Sequence, residues 1–166
     1  LDSYYGGLKW LWFMQNEPET YQKTWKIMQA NSFITYLLTG VTAIDPSQAG
    51  MCTPCYDSEA GEWDRNVCQS MSLEMDKLPD VQPSESIIGS VTARAAQETG
   101  LVEGTPVACG GGDFAFACLS AGVYQKGRAA LMLGTAGNLF IPNPAGADPR
   151  LINTFHVTGE KLGLGG

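Results

Sequence analysis

Three glycines followed by one aspartate, GGGD at residues 110–113, constrain the fold of this chain more than any other stretch. The segment TPVACGG in front of them has the composition of a buried strand, and FAFACLSAG behind them that of a helix of small and apolar residues. A strand that runs through glycines into a helix places Asp113 at the carboxyl end of that strand, where open α/β sheets bind ligands. The predicted fold class is therefore α/β.

Asp113 itself admits two interpretations. Aspartate is a favoured helix N-cap, and its charge suits the positive end of the helix dipole. Alternatively, glycines without a Cβ let a ligand approach the backbone, and a carboxylate in such a cleft can act as a general base. The residues alone leave both interpretations open.

Composition excludes several classes of partner. The chain has 166 residues, of which 44% are hydrophobic, enough for the core of one domain or one and a half. Its net charge of −7, without a basic stripe, argues against a nucleic-acid partner. Its longest apolar runs fall short of the roughly 20 residues that span a bilayer, so no membrane span is expected. Because the sequence starts at Leu1 without Met and stops at GLGG after a strand-like run, we expect a segment of a longer protein.

The five cysteines indicate a reducing compartment. Their number is odd, and Cys109 and Cys118 lie in apolar stretches typical of buried, reduced thiols, so we expect a cytoplasmic protein. CTPC at residues 52–55 is a lone CxxC, and a zinc site would need two more ligands, for which Cys68 and His156 are the loose candidates. A solvated loop is the favoured interpretation of CTPC.

Helical signals open the chain. Residues 8–14 are apolar on nearly all sides and predict a buried helix that ends near Asn16, while Pro18 opens a second, short helix. SFITYLLTG predicts a third helix with Ser32 as its N-cap and Gly40 at its end.

The pattern changes after residue 122. Before it, TARAAQETG predicts a helix capped by Thr92 and closed by Gly100. After it, RAALMLG, NLFIP and LINTFHV are short apolar runs separated by Gly, Pro and Asn, a pattern typical of antiparallel strands. We place a change of domain near residues 123–127.

Neither glycine cluster matches a common nucleotide motif. No GK[ST] follows GGGD, and a dinucleotide fingerprint would need a glycine at Ala115 and an acidic residue about 20 positions on. LGTAGN at 133–138 ends one strand and begins the next. Its backbone amides and the Thr135 hydroxyl can bind an anion, although a tight turn alone explains the segment better.

The chain has one histidine, His156, and no GxSxG motif. This combination argues against a hydrolase triad and predicts a satisfied or surface histidine.

The combined order of these segments resembles the junction between the two actin-like domains of the FGGY family of carbohydrate kinases. Similar segments follow in family order: KWLWFMQN, FITYLLTG, AIDPSQAG, EW at residues 62 and 63, LPDVQPSESIIGSVTARAAQETGLVEGTPVACGGGD, GVYQKG and LGTAGNLF. The resemblance implies an actin-like/ribonuclease H-like ATPase fold. Residues 1–122 would form the second half of the sugar-binding amino-terminal domain, and residues 123–166 the first strands of the ATP-binding carboxy-terminal domain.

The resemblance also implies a reaction. The parent protein would phosphorylate a small sugar with ATP and Mg²⁺, with a ketopentose such as xylulose favoured over a polyol or another keto-sugar. Asp113 would be the general base that activates the sugar hydroxyl, and Gly134, Thr135 and Gly137 would lie near the nucleotide phosphates, which Mg²⁺ would bridge.

Two further positions concern the acceptor. The resemblance implies that Tyr4 is a substrate contact. Phe114 stands where the family commonly has Asn or Gln, so the substrate is expected to differ.

The family's amino-terminal phosphate loop is absent from these residues, so the isolated segment is expected to be inactive. Two alternatives stay open, a catalytically silent sugar- or nucleotide-sensing relative and a dinucleotide-binding domain, and so does a homodimer.

Overall fold

The computed structural model describes residues 3–134, 137–142 and 150–165. None of the helices in these ranges is long and apolar enough to cross a membrane. The helices are α1 (Gly6–Asn16), α2 (Pro18–Lys23), α3 (Ala30–Thr39), α4 (Pro46–Ala49), α5 (Arg65–Ser70), α6 (Ala93–Thr99) and α7 (Asp113–Ser120). The strands are β1 (Ala43–Ile44), β2 (Tyr56–Asp57), β3 (Glu62–Trp63), β4 (Asp80–Val81), β5 (Ile87–Ser90), β6 (Pro106–Ala108), β7 (Ala130–Leu133), β8 (Gly137–Pro142), β9 (Ile152–Phe155) and β10 (Lys161–Gly165).

Three short strand pairs organise the first 112 residues. Strand β1 pairs in parallel with β4, β2 forms an antiparallel pair with β3, and β5 pairs antiparallel with β6. Strand β6 is the strand predicted in front of the glycines, and helix α7 follows them. The predicted order of strand, glycines and helix is therefore confirmed.

A core of apolar and cysteine side chains fills the space between α1 and strands β1 to β4. Trp63 is its largest member; its Nε1 donates a hydrogen bond to the Pro79 carbonyl at 2.8 Å, and the rings of Trp10 and Tyr56 meet it edge-on. The buried members of the cluster are Ile44, Ala49, Cys52, Cys55, Tyr56, Trp63, Cys68, Leu73 and Leu78.

The prediction of a solvated loop at CTPC is wrong. Cys52 and Cys55 are fully buried because the start of α1 packs on them: a Cβ at Gly7 would lie 2.8 Å from the Cys52 carbonyl oxygen. Burial raises the pKa of both thiols to about 12, which keeps them protonated and unreactive at neutral pH. In the described ranges no three His, Cys, Asp or Glu side chains are grouped as a metal site would require.

Two helix predictions need correction. Helix α1 is not buried on nearly all sides, since Trp12 is 53% exposed and its buried residues are glycines. Helix α3 begins at Ala30 with Gln29 as N-cap, so Ser32 lies buried inside the helix rather than capping it. Its end at Gly40, with φ of +76°, is as predicted.

Helix α6 agrees with its sequence signals. The Thr92 hydroxyl accepts a hydrogen bond from the Ala95 N–H at 3.2 Å, and Gly100 closes the helix with φ of +78°. Both ends are therefore as predicted.

Strands β7 to β10 form a four-stranded sheet that we call the second sheet. It is antiparallel throughout, as predicted, with the strand order β7-β8-β10-β9. It packs directly on the first part of the chain: the Thr154 hydroxyl donates to the Ser47 carbonyl at 2.8 Å, and Lys161 forms an ion pair with Glu59. Strand β9 therefore lies against the turn into α4.

His156, which follows β9, is buried rather than on the surface. Its Nδ1 accepts a hydrogen bond from the Thr158 N–H at 3.2 Å and lies 2.8 Å from the Thr158 hydroxyl. Its Nε2 has no partner in the described part of the chain, and burial lowers the pKa of the ring. The prediction of a hydrogen-bonded histidine therefore holds for Nδ1.

The Trp63 hydrogen bond yields a test of the core. Trp63→Phe removes the donor to the buried Pro79 carbonyl and should cost about 1–3 kcal/mol of stability. Trp25→Phe is the matched control, because Trp25 is 61% exposed, and it should change stability by less than about 0.5 kcal/mol. Thermal denaturation of the intact protein measures both, and equal losses for the two variants would contradict the assignment.

Candidate active site

The glycine loop continues the β6 strand before it turns into α7. The Cys109 N–H donates to the Ser86 carbonyl at 2.9 Å, and the Gly110 N–H donates to the Ser84 carbonyl at 3.0 Å. Gly110 has φ of +84°, a left-handed conformation that favours glycine. These contacts direct the next two residues toward the start of α7.

Packing inside the protein explains the other two glycines of the loop. A Cβ at Gly111 would lie 2.5 Å from Val157 Cγ1, and a Cβ at Gly112 would lie 2.7 Å from the ring of Phe114. The expected reason for these glycines was room for a ligand. The structure instead fills the space beside both of them with the protein's own side chains.

Asp113 is the first residue of α7 and not its N-cap. Gly112 takes the cap position with extended backbone angles, φ −66° and ψ 145°, so the N-cap interpretation of Asp113 is wrong. The Asp113 Oδ1 accepts the Phe114 N–H at 2.7 Å, and the side chain is exposed. A carboxylate in the first turn still benefits from the positive end of the helix dipole.

Asp113 opens into a cleft of about 320 Å³ that we name the Asp113 cleft. Tyr4 and Phe114, the two other residues expected near the acceptor, line the same cleft. The remaining lining residues are Gly6, Lys9, Trp10, Met28, Gln29, Gln48 and Met51. The structure therefore brings together three of the residues that the sequence singled out.

The lining of the Asp113 cleft suits a small hydroxylated molecule. The amides of Gln29 and Gln48 and the carboxylate of Asp113 can bond hydroxyl groups, whereas the rings of Trp10 and Phe114 can cover carbon–hydrogen faces. No sequence pattern singled out either glutamine. Gln48 lies inside the AIDPSQAG segment, and this position within a family-like motif was the one signal that could have marked it as a site residue.

Phe114 also belongs to a second apolar cluster. Its ring stacks on Phe140 of β8, with centroids 5.9 Å apart and planes within 9° of parallel. The buried members of that cluster are Cys118, Val123, Phe140 and Leu162. Phe114 therefore connects the Asp113 cleft to the second sheet.

The second glycine cluster forms the predicted hairpin. Strands β7 and β8 pair antiparallel with Leu133 opposite Gly137. Gly134 is exposed, with open space where a Cβ would be, and Thr135 lies outside the described residues. Neither Gly134 nor Gly137 lines the Asp113 cleft. The hairpin is linked to it through the contact between Phe140 and Phe114.

Comparisons with known proteins identify the group of enzymes to which this arrangement belongs. The sequence model described as the FGGY family of carbohydrate kinases, N-terminal domain, matches residues 1–120. An autoinducer-2 kinase of Yersinia enterocolitica is 38% identical over 125 residues, which cover 75% of this chain and 23% of that protein. The chain thus spans less than a quarter of the length of this curated relative.

Solved structures agree with the sequence match. The xylulose kinase of Rhodospirillum rubrum superposes with a TM-score of 0.90 at 27% identity, over 97% of this chain and 33% of that one. The glycerol kinase of Plasmodium falciparum, solved with ADP, superposes with a TM-score of 0.82 at 25% identity, over 98% of this chain and 34% of that one. The predicted actin-like/ribonuclease H-like ATPase fold is confirmed by these neighbours. The chain belongs to the FGGY family of carbohydrate kinases.

Proposed function

We propose that the intact protein containing this chain transfers the γ-phosphoryl group of ATP to a hydroxyl of a small sugar or sugar-like molecule. One observation carries the proposal: Asp113 stands exposed at the start of α7, in a cleft whose size and polar lining suit such an acceptor. Membership of the carbohydrate kinase family supports it.

Asp113 is the proposed general base. Its Oδ1 is occupied by the Phe114 N–H, which leaves Oδ2 for the acceptor hydroxyl. As the hydroxyl oxygen forms its bond to the γ-phosphorus, the proton passes to Asp113, and the bond to the β,γ-bridging oxygen breaks to release ADP. Such a transfer depends on positioning and charge stabilisation more than on covalent chemistry by the protein.

The nucleotide is assigned to the hairpin between β7 and β8. Gly134, Thr135 and Gly137 are proposed to hold its phosphates through backbone amides and the threonine hydroxyl, as the family resemblance implies. The neighbouring glycerol kinase was solved with ADP, which supports a nucleotide site in this fold. Mg²⁺ is proposed to bind together with the nucleotide, as the family resemblance implies, and would neutralise the charge of its phosphates.

The two halves of the reaction map onto two parts of the chain. We assign residues 1–122 to the sugar-binding domain and residues 123–166 to the ATP-binding domain. The family match ends at residue 120, and β7 to β10 form a sheet of their own, which supports this division. A cytosolic location is proposed from the five unpaired cysteines, and a homodimer remains a prediction of the sequence.

Two molecules are candidates for the acceptor of the intact protein. Autoinducer-2 is favoured by the 38% identity to a kinase named for it. A ketopentose such as xylulose, which the family resemblance favoured, is supported by the 27% identity to a xylulose kinase. Phe114 lines the Asp113 cleft and is the residue through which we expect the choice to be made. The dinucleotide-binding alternative loses its support, since the family match accounts for the glycine loop.

Asp113→Asn tests the reaction. The variant keeps the size of the side chain but cannot accept the proton, so turnover should fall by at least about 100-fold with little change in folding. Asp80→Asn, an exposed aspartate on β4, is the matched control and should keep wild-type turnover. Phosphorylation is followed by ADP release with an acceptor panel. Near-normal turnover in Asp113→Asn would refute the proposal. A wild-type protein that phosphorylates none of the acceptors would also refute it and would favour the catalytically silent sensing relative.

Phe114→Asn tests the acceptor assignment. In the wild type, kcat/KM for autoinducer-2 should be at least about tenfold higher than kcat/KM for xylulose. The variant should reduce the ratio of these two values, because it replaces an apolar ring with an amide that can bond hydroxyl groups. Leu119→Asn, on the same helix but outside the Asp113 cleft, is the control and should leave the ratio unchanged. A wild type that prefers xylulose, or equal ratios in both variants, would contradict the assignment.

A further inference from the structure

A buried carboxylate lies behind the glycine loop. Asp45 is fully buried and caps α4: its Oδ1 accepts the Ser47 N–H at 2.9 Å and the Gln48 N–H at 3.2 Å. Its Oδ2 accepts a hydrogen bond from Asn31 Nδ2 at 3.2 Å. Desolvation by burial raises the pKa of this carboxyl. Four hydrogen bonds, counting the one described next, hold it in one orientation.

The Ser47 hydroxyl connects this carboxylate to the loop. It donates to Asp45 Oδ1 and accepts the Gly112 N–H at 2.8 Å, and Ser47 is fully buried. A hydroxyl has one proton, so donation to Asp45 turns its lone pairs toward the Gly112 N–H. Gly112 is the N-cap of α7 and immediately precedes Asp113.

Residues of β9 and of the segment that follows it contact Gly111 and Ser47. The side chain of Val157 fills the space beside Gly111. The Thr154 hydroxyl of β9 donates to the Ser47 carbonyl, a bond separate from the contact between the Ser47 hydroxyl and the Gly112 N–H. Ser47 itself does not line the Asp113 cleft, whereas its neighbour Gln48 does. The Ser47 hydroxyl therefore reaches the Asp113 cleft through Gly112 rather than by direct contact with an acceptor.

We propose that Ser47, oriented by Asp45, is a positioning residue that holds the Gly112 N–H and thereby aims Asp113 at the acceptor hydroxyl. The inference rests on the proposed phosphoryl transfer. Its physical basis is the steep dependence of such reactions on geometry, in which a displacement of about 1 Å costs on the order of 100-fold in rate. The Asp113 side chain is exposed whereas Gly112 in front of it is buried, so the N-cap residue is the point at which buried structure can set the direction of Asp113.

The kinetic test compares two buried hydrogen bonds of Ser47 in the intact protein. Ser47→Ala removes the acceptor of the Gly112 N–H and should lower kcat by about 10- to 100-fold, with KM for acceptor and ATP changed by less than about threefold. Thr154→Val removes the bond to the Ser47 carbonyl but leaves the hydroxyl in place, and it should keep kcat within about twofold. Equal losses of kcat in the two variants would show a general packing defect and overturn the inference.

Hydrogen exchange supplies a readout that needs no turnover. The peptide containing Gly112 and Asp113 should exchange faster in Ser47→Ala than in the wild type, and at the wild-type rate in Thr154→Val. Unchanged exchange or unchanged kcat in Ser47→Ala, beside an inactive Asp113→Asn, would overturn the positioning role and leave the proposed reaction standing. An active Asp113→Asn would instead refute the reaction itself, with the exchange rates still deciding whether Ser47 holds the loop.

Discussion

The buried carboxylate of Asp45 is the interaction on which the arrangement around the glycine loop depends. Burial raises the pKa of this carboxyl because it removes water from the charged form, and in the described ranges hydrogen bonds alone, without a cationic partner, oppose that rise. Those bonds start α4, orient the Ser47 hydroxyl and so reach the N-cap of α7. Loss of this group would free a helix start and the loop that carries Asp113 together.

The other wall of the cleft depends on close packing rather than on charge. Gly6 and Gly7 let the first turn of α1 approach the buried Cys52 and Cys55, where a side chain on either glycine would meet them. This approach brings Lys9 and Trp10 to the rim of the Asp113 cleft. The CTPC segment therefore supports the cleft as a packing surface, and its thiols stay chemically quiet.

Local patterns predicted the elements well and their contacts poorly. Strand β6, the start of α7 near Asp113, the Thr92 cap and the hairpin before Gly137 all follow from turn residues and apolar runs a few positions apart. The burial of CTPC and the bond between Ser47 and Gly112 join segments far apart in the chain, the latter by 65 positions. Periodicity carries no information on such pairs, so the packing reason for the glycines also escaped prediction.

The most direct measurement of the central claim is a crystal structure of the intact protein with its acceptor and a non-hydrolysable ATP analogue. We expect an acceptor hydroxyl within about 2.6–3.2 Å of the Asp113 carboxylate, in the cleft that Tyr4 and Phe114 line. The same hydroxyl should face the γ-phosphate. An acceptor bound elsewhere, with Asp113 in contact with solvent alone, would contradict the assignment of Asp113 as the base.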